Sequence, residues 1–559
     1  MGFPEIFNLA DYCLFSRVSA GGGESVAVRY GDRSYLYKDV AERSAALARF
    51  LATSGVRPGD RVVVMLPDSP AYVWSVMAIW KAGAVLVMGN PDAPVATLEA
   101  TLALAQPAAV IAVPRVCEAL AAALDRARKV SLQVIVTAAD TATGEDPDTE
   151  PAPLAQGCEV PVIALAAATD RGRKTHKELP VTRRDDPAVW LFSSGSSGRP
   201  RAAVHAHRDL AYSTEVYARA TVGFGPSDTT MSVPRLYFGY ATGTNLVFPF
   251  AVGATVALFS ERPTAPRVAA AIARYRPTIV TNVPTMLSML LDHDERERAA
   301  GNPGMDLASV RFQLSAGEAL PAPLYHRFIA RFGGAIYDGI GSAEMFHIFV
   351  TNRPGDVVPG SLGRPVDGYE VRILPADATG PGAPEVADGE PGVLWVRGQS
   401  IALGYARDRD ASWERFFGPW CQTGDVCRRD ARGYLWLCGR ADALFKVCGQ
   451  WVAPLEVEAC LMEHPAVSMA MVMADAGGEL LRGKALVVLR NPQVAAAEGH
   501  HALTAALREH VAAKLARHKV PRIIEIVAEL PHNDRGKIDR RLLSRQHAAQ
   551  TATPEAELS

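Results

Sequence analysis

The sequence predicts an α/β protein. A large N-terminal domain of several subdomains carries layered sheets with helices, and a small α+β domain follows it. Three observations predict this. Short continuous apolar runs alternate with segments of helical spacing, the joins between them are short, and a break at Arg440–Ala441 precedes a second, shorter set of helices and strands. Residues 37–53 show helical spacing and end before Gly55, and residues 61–66 (RVVVML) read as a strand stopped by Pro67. Residues 71–82 read as a helix closed by Gly83, and 84–88 as the next strand. Strand, helix, strand with short joins is a βαβ pattern. It recurs around 109–113, 132–137, 255–259 and 278–280. Continuously apolar strands fit sheets covered by helices on both faces. The uncharged stretch 240–260 contains Thr242, Thr244, Asn245 and Pro249, and reads as buried strands and a turn rather than a membrane span. Residues 140–157 and 375–392 read as surface loops. Beyond residue 440 the expected order is helix 452–463, strand 468–473, strand 484–489, helix 504–515 and strand 522–527, with a frayed polar tail after about 545.

Composition narrows the function. A chain of 559 residues is long enough for several structural units. Lys plus Arg is 58 and Asp plus Glu is 60, so the chain lacks the basic excess of a nucleic-acid binder and no nucleic-acid partner is expected. Eight cysteines are too few to staple a secreted fold, and a reduced, cytoplasmic compartment is expected. Glu5 and Asp11 sit where a signal peptide would carry basic residues, and Ile6 breaks the myristoylation pattern that Gly2 would open.

Four clusters carry chemistry. In the first, a strand, Trp190-Leu191-Phe192, runs into Ser193-Ser194-Gly195-Ser196-Ser197-Gly198 and then Arg199-Pro200-Arg201. Glycines let backbone N–H groups and hydroxyls curl around a phosphate, and the cations add charge. It is not the Walker A spacing. In the second, Asp338-Gly339-Ile340-Gly341-Ser342-Ala343-Glu344, small residues suit a nucleotide lying against backbone, and Glu344 suits Mg²⁺. The third pairs Thr423-Gly424-Asp425 with Gly439-Arg440-Ala441-Asp442, an acid and a base near turns that suit sugar hydroxyls or two solvated hairpins. The fourth is Arg535-Gly536-Lys537-Ile538-Asp539-Arg540, where a lysine after glycine can reach a phosphate. Cys421, Cys427, Cys438, Cys448 and Cys460 lack the short spacing of a zinc site and read as buried or partly buried thiols. His205 and His207 read as packing or polar contacts. No Gly-x-Ser-x-Gly elbow supports a hydrolase.

Taken together and in this order, the four clusters resemble the acyl-adenylate-forming (AMP-dependent synthetase/ligase) superfamily, from Tyr35 to about Leu543. The segments 235–240 (RLYFGY), 315–321 (SAGEALP), 338–349 and 446–458 (KVCGQWVAPLEVE) are most similar to its benzoate-CoA ligase branch. The resemblance implies ATP, Mg²⁺ and coenzyme A. It implies a phosphate loop over 193–198 with Arg201, and an adenine edge at Ala316, Gly317, Glu318, Asp338, Gly339 and Ile340. It also implies ribose contacts at Asp425 and Arg440, Glu344 as the metal-linked acid and Lys537 as the catalytic lysine of adenylate formation. Asp442 matches the hinge of a mobile lid, and Lys446 and Gly449 match the loop facing the thiol. The division expected is 1–440, 441–545 and a flexible tail 546–559.

The acyl pocket implied is Tyr237, Phe238, Tyr240, Ala316, Gly317, Ile340, Gly341 and His347, an aromatic wall beside small residues that suits a flat ring. Segment 235–240 holds no acid to pair with an α-ammonium, which disfavours an α-amino acid. A ring amine is neutral at pH 7, so hydroxybenzoate and aminobenzoate such as anthranilate stay open beside benzoate. The expected reaction is ligation of an aryl acid to coenzyme A through acyl-AMP. A stand-alone adenylation enzyme that loads a carrier protein and an inactive homologue remain as alternatives, and a homodimer is left open. Three departures from the family pattern imply a slower enzyme. Arg201-Ala202 replaces Lys-Gly, Ala343 replaces Thr, and His532-Asn533-Asp534-Arg535 replaces the usual run before Gly536-Lys537.

Overall fold

The computed structural model describes residues 2–151, 160–194, 200–441, 443–448, 450–475, 481–491, 499–531, 538–540 and 542–543. Two large sheets form the N-terminal part. The first has spatial order Val162–Ala164, Val134–Thr137, Ala109–Ala112, Arg61–Met65, Val85–Met88, Pro187–Ser194, Pro200–Ala206. All neighbours in it run parallel except the last two strands, which form an antiparallel hairpin with Ser193 opposite Arg201. In the second sheet a parallel centre runs from Ile336–Gly341 through Phe312–Ala316, Ile279–Asn282, Thr229–Ser232 and Thr255–Leu258 to Val26–Tyr30. Antiparallel partners close both edges.

One continuous core joins these sheets. It contains Val63 and Ile111 from the first, Val28, Val256 and Leu314 from the second, and Val371 and Leu394 from a third, antiparallel sheet. Helix Pro70–Lys81 shows why. Ser69 caps it, Pro70 occupies its first turn, and every residue from Pro70 to Trp80 is buried. A helix apolar all round has no solvent face and must be enclosed. The third sheet runs Glu370–Leu374, Gly392–Arg397, Trp420–Arg429, with Phe416–Phe417 and Leu435–Arg440 also paired to Trp420–Arg429.

The C-terminal part has its own core around Val457, Val472, Val487 and Leu507. Helices Pro454–Met462 and His500–Lys514 accompany a sheet of Val467–Asp475, Arg482–Leu489 and Ile523–Val527. The expected helix at 452–463 starts later, because Val452 ends a short strand, Gln450–Val452, paired with Phe445–Val447. The tail after 545 lies outside the described residues.

One expectation fails. Residues 239–252 are helical, as Gly239–Thr242, Gly243–Val247 and Phe248–Val252, and only Thr255–Leu258 of the 240–260 stretch is a strand. The segment is buried on all sides, so burial erases the helical period that sequence reading relies on. Its β-branched residues are accommodated by hydroxyls turned back onto the preceding turn. Thr242 donates to Phe238 O and Thr244 to Tyr240 O, each at 3.0 Å. No helix among the described residues is long and apolar enough to cross a membrane.

The hairpin of Ile336–Gly341 with Ile348–Thr351 closes tightly because Gly341 lacks a side chain. A Cβ there would lie 2.5 Å from the carbonyl oxygen of His347. Gly341→Ala is therefore expected to lower stability by about 1–3 kcal/mol, the usual cost of overpacking. Thermal melts of the variant and wild type check it, and equal melting temperatures would contradict it.

Candidate active site

The strand ends of the two large sheets place the site. Ser193 and Ser194 end strand Pro187–Ser194, and strand ends are where ligands of α/β sheets gather. Gly195, Ser196, Ser197 and Gly198 lie outside the described residues, as do Asp442, Gly449 and Lys537. Arg201 is fixed on the return strand. Its Nε lies 3.6 Å from Asp408 Oδ2, and its guanidinium stands 5.7 Å from the Tyr405 ring centroid.

Tyr405, which sequence reading missed, contacts the expected acid Glu344. Its hydroxyl donates to Glu344 Oε1 at 2.5 Å, and burial together with the Glu344 charge drives the phenol far above its ordinary pKa. The phenol therefore stays protonated and holds one carboxylate oxygen in a fixed direction. Glu344 sits in the single turn Ala343–Met345, between strand Ile336–Gly341 and strand Ile348–Thr351. The turn exits through Phe346 at φ +66°, an uncommon conformation for a bulky residue, which burial to 2% exposure holds in place.

Donors from elsewhere hold its backbone. His205 Nε2 lies 2.6 Å from Ala343 O, the Ala402 N–H donates to Glu344 O at 2.8 Å, and the Ser400 hydroxyl donates to Met345 O at 2.9 Å. Three consecutive carbonyls are thus bound. One carboxylate fits Mg²⁺, which commonly takes one or two carboxylates and completes its shell with water and substrate phosphate oxygens. No group of three or more potential ligands occurs among the described residues.

Asp425 and Arg440 face each other across paired strands, with Arg440 donating to Asp425 Oδ1 at 3.2 Å and to Thr423 O at 3.1 Å. The alternative of two separate solvated turns is thus set aside. Burial raises the Asp425 pKa, Arg440 opposes this, and the charge of Glu344 adds to the rise. Asp425 and Glu344 therefore share one electrostatic neighbourhood.

Strand Phe312–Ala316 pairs with Ile336–Gly341 so that Ser315 opposes Asp338 and Ala316 opposes Gly339. Asp338 is buried, and burial pushes its carboxyl up to about 8 despite the Ser315 hydroxyl donating to it at 2.7 Å. Gly317 follows at φ +90°. Glu318 accepts from the Thr285 hydroxyl at 2.7 Å on one oxygen and from the Ile538 N–H at 3.1 Å on the other. Ile538, the residue after Lys537, is thereby joined to the segment that follows strand Phe312–Ala316.

The residues of the expected aromatic wall form two pairs, and His347 of the second adjoins Gly341 at the end of strand Ile336–Gly341. Tyr237 and Phe238 meet edge to face at 4.6 Å. Tyr240 and His347 lie 5.4 Å apart, and His347 Nε2 is 3.1 Å from Tyr240 O. Since that carbonyl only accepts, Nε2 carries the proton. Burial lowers His347 to about 3, so the ring is neutral. Gly243 is a second residue that sequence reading missed, because a Cβ there would sit 2.5 Å from His347 Cδ2. Arg235, the cation of the segment, points away, donating to Phe259 O at 2.7 Å with Asp68 at 3.6 Å.

Lys446 is exposed, with its ammonium 4.6 Å from the Trp451 ring centroid. Cys421, Cys427 and Cys460 are buried and Cys438 is half-buried, whereas Cys448 is exposed at φ +50°, which corrects the expectation of buried or partly buried thiols for all five. It follows strand Phe445–Val447, whose buried core residue is Phe445, at the end of the hairpin away from that residue. His205 and His207 are both fully buried, and His207 Nδ1 accepts from the Leu9 N–H at 3.1 Å.

An anchored acid that shares its surroundings with a paired acid and base is an arrangement a nucleotide-dependent ligase can use. The chain belongs to the AMP-binding enzyme family, whose model matches residues 15–406, and its C-terminal domain matches residues 456–537. It is 35% identical to the benzoate–CoA ligase of Thauera aromatica, over 96% of this chain and 95% of that one. It is 34% identical to a 4-hydroxybenzoate–CoA/benzoate–CoA ligase of Rhodopseudomonas palustris, over 96% and 94%. The structure of the anthranilate CoA ligase AuaEII in complex with anthranoyl-AMP superposes with a TM-score of 0.85 at 32% identity, covering 99% of each chain.

Two outcomes follow. Tyr405→Phe should slow adenylate formation by about tenfold or more, since a hydrogen bond to a charged group is worth about 1.5–3 kcal/mol. Pyrophosphate exchange measures it, and an unchanged rate would remove Tyr405 from the site. Asp338 is protonated in the fold up to about pH 8 but ionises near its ordinary value when unfolded. The unfolded chain thus releases that proton first, and the contribution of Asp338 to stability falls as pH rises from about 4 to 8. Asp338→Asn should therefore gain on wild type in melting temperature across that window, and parallel profiles would contradict it.

Proposed function

We propose that the protein joins an aromatic carboxylic acid to coenzyme A using ATP, through an acyl-AMP intermediate, with release of AMP and pyrophosphate. The observation that carries this reading is the pairing of Tyr240 with a neutral His347, which adjoins Gly341 at the end of strand Ile336–Gly341, with Tyr237 and Phe238 edge to face just before Tyr240 in the chain. A flat ring fits such a wall, and its carboxylate then points toward the strand-end turns. Full-length likeness to ligases of benzoate, hydroxybenzoate and anthranilate supports the same reaction class.

In this reading the turn after Ser194 holds the ATP phosphates with Arg201, Asp338 to Ile340 and Ala316 to Glu318 border adenine, and Asp425 with Arg440 takes the ribose. Ala316, Gly317, Ile340 and Gly341 complete the acyl pocket. The substrate carboxylate attacks the α-phosphorus and pyrophosphate leaves. Mg²⁺ bound through Glu344 and the phosphates would supply charge against the phosphate oxygens. Residues 441–545 act as a lid that delivers Lys537 for this step. Turning about Asp442, the lid then brings Lys446 and Gly449 to the incoming thiol, which displaces AMP. Residues 1–440 hold the ATP and acyl sites, and 546–559 form a tail. The enzyme works in the cytoplasm, where ATP and coenzyme A are available.

A screen of benzoate, hydroxybenzoates and aminobenzoates for coenzyme A ester formation tests the reading. Ester and AMP in equal amounts from at least one of them is expected. AMP release that needs a carrier protein instead would move the acceptor, and no product from any of them would overturn the reading. Lys537→Ala should abolish adenylate formation while leaving ester formation from supplied aryl-AMP largely intact. An equal loss in both half-reactions would contradict the role of Lys537.

A further inference from the structure

His205 lies in strand Pro200–Ala206, on the return from the phosphate turn, and is completely buried. Both ring nitrogens are engaged. Nε2 is 2.6 Å from Ala343 O and Nδ1 is 3.1 Å from Asp209 Oδ2. The carbonyl can only accept, so Nε2 carries a proton. Asp209 is buried too, and the same Oδ2 accepts from the Ala206 N–H at 2.9 Å, which fixes the carboxylate at the start of helix His207–Ser213. The ring of Phe346, at the exit of the acid turn, stands edge-on at 6.1 Å. His205 is therefore anchored on one side and aimed at the residue preceding Glu344 on the other.

The same strand is stitched to the segment that carries Tyr405. Val204 N–H donates to Gly404 O at 2.9 Å, Leu403 N–H to Val204 O at 2.8 Å, and Ala406 N–H to Ala202 O at 2.8 Å. One strand thus fixes both the backbone before Glu344, through His205, and the hydroxyl on its carboxylate, through Tyr405.

We propose that His205, oriented by Asp209, is a positioning residue that fixes the Ala343 carbonyl and so the direction in which Glu344 presents its free carboxylate oxygen to a metal–nucleotide. The proposal rests on Glu344 being the acid for that complex. It assigns His205 no contact with substrate. The geometry also explains why a buried polar side chain is kept here: an apolar residue would leave the Ala343 carbonyl without this donor.

Two conservative variants separate positioning from packing. The amide nitrogen of Gln can take the place of Nε2, so His205→Gln keeps a donor to Ala343. That of Asn takes the place of Nδ1, so His205→Asn keeps the Asp209 side and loses the Ala343 contact. The readout is binding of α,β-methylene ATP by calorimetry, with and without Mg²⁺, because this analogue blocks the chemical step. Wild type should bind more tightly with Mg²⁺. His205→Asn should lose about tenfold of that gain, the usual scale for supporting partners of a metal ligand, with metal-free binding unchanged. His205→Gln should retain most of the gain, and melting temperatures verify that both variants are folded. A full gain in both variants, or an equal loss in both, overturns the role of His205. A wild type with no gain from Mg²⁺ overturns the reading of Glu344 and this proposal with it. Should His205→Asn not fold, Asp209→Ala, which releases the ring, is expected to show the same selective loss, and an intact gain there would equally overturn the proposal.

Discussion

The anchoring of the turn at Ala343–Met345 is the interaction on which the rest of the site depends. Three consecutive carbonyl oxygens are bound by His205, Ala402 and Ser400, which come from two separate parts of the chain. The turn itself is one short helical turn ending in a left-handed Phe346, a conformation that would relax if left alone. What prevents relaxation is tertiary: strand Pro200–Ala206 on one side and the 400–406 segment on the other. Because that strand pairs with Pro187–Ser194, the acid turn is tied to the sheet through the same hairpin. Preorganisation of this kind lets charged groups act without first being gathered.

The aromatic side of the site follows from the same hairpin. Its two arms, Ile336–Gly341 and Ile348–Thr351, approach closely because Gly341 has no Cβ, and the hairpin places His347 against Tyr240. Helix 239–252 then packs against the imidazole, with Gly243 leaving room for it. Arg235, the cation of segment 235–240, is engaged by Asp68 and Phe259 O. Aryl acid chemistry needs an apolar wall for the ring and charge confined to where the carboxylate meets phosphate.

Much of this was legible in the sequence, and the limits have physical causes. The alternation of apolar strands and helices was readable because parallel strands covered on both faces are apolar throughout, as in Arg61–Met65 and Val85–Met88. Asp425 and Arg440 were readable only as an acid and a base near turns, with two solvated hairpins as the alternative, because it is the pairing of strands Trp420–Arg429 and Leu435–Arg440 that brings them together. Tyr405 and His205 were not legible as partners of one turn, since they lie 61 and 138 residues from the atoms they bind and nothing local marks them. Only the alternation of His205 and His207 hinted at buried polar positions. Helix 239–252 was misread because burial on every side removes the polar face that betrays a helix. Cys448 was misplaced because a cysteine is usually buried, and only the short hairpin around it explains its exposure.

The central claim is that this framework activates an aryl carboxylate as its adenylate with Glu344 as the anchored acid. The most direct measurement is exchange of labelled pyrophosphate into ATP, without coenzyme A, in wild type and Glu344→Gln supplied with benzoate or an aminobenzoate. The account predicts acid-dependent exchange in wild type and a loss of about a hundredfold or more in the variant, the scale of removing a charged group that acts in the transition state. Exchange at the wild-type rate in Glu344→Gln would contradict it.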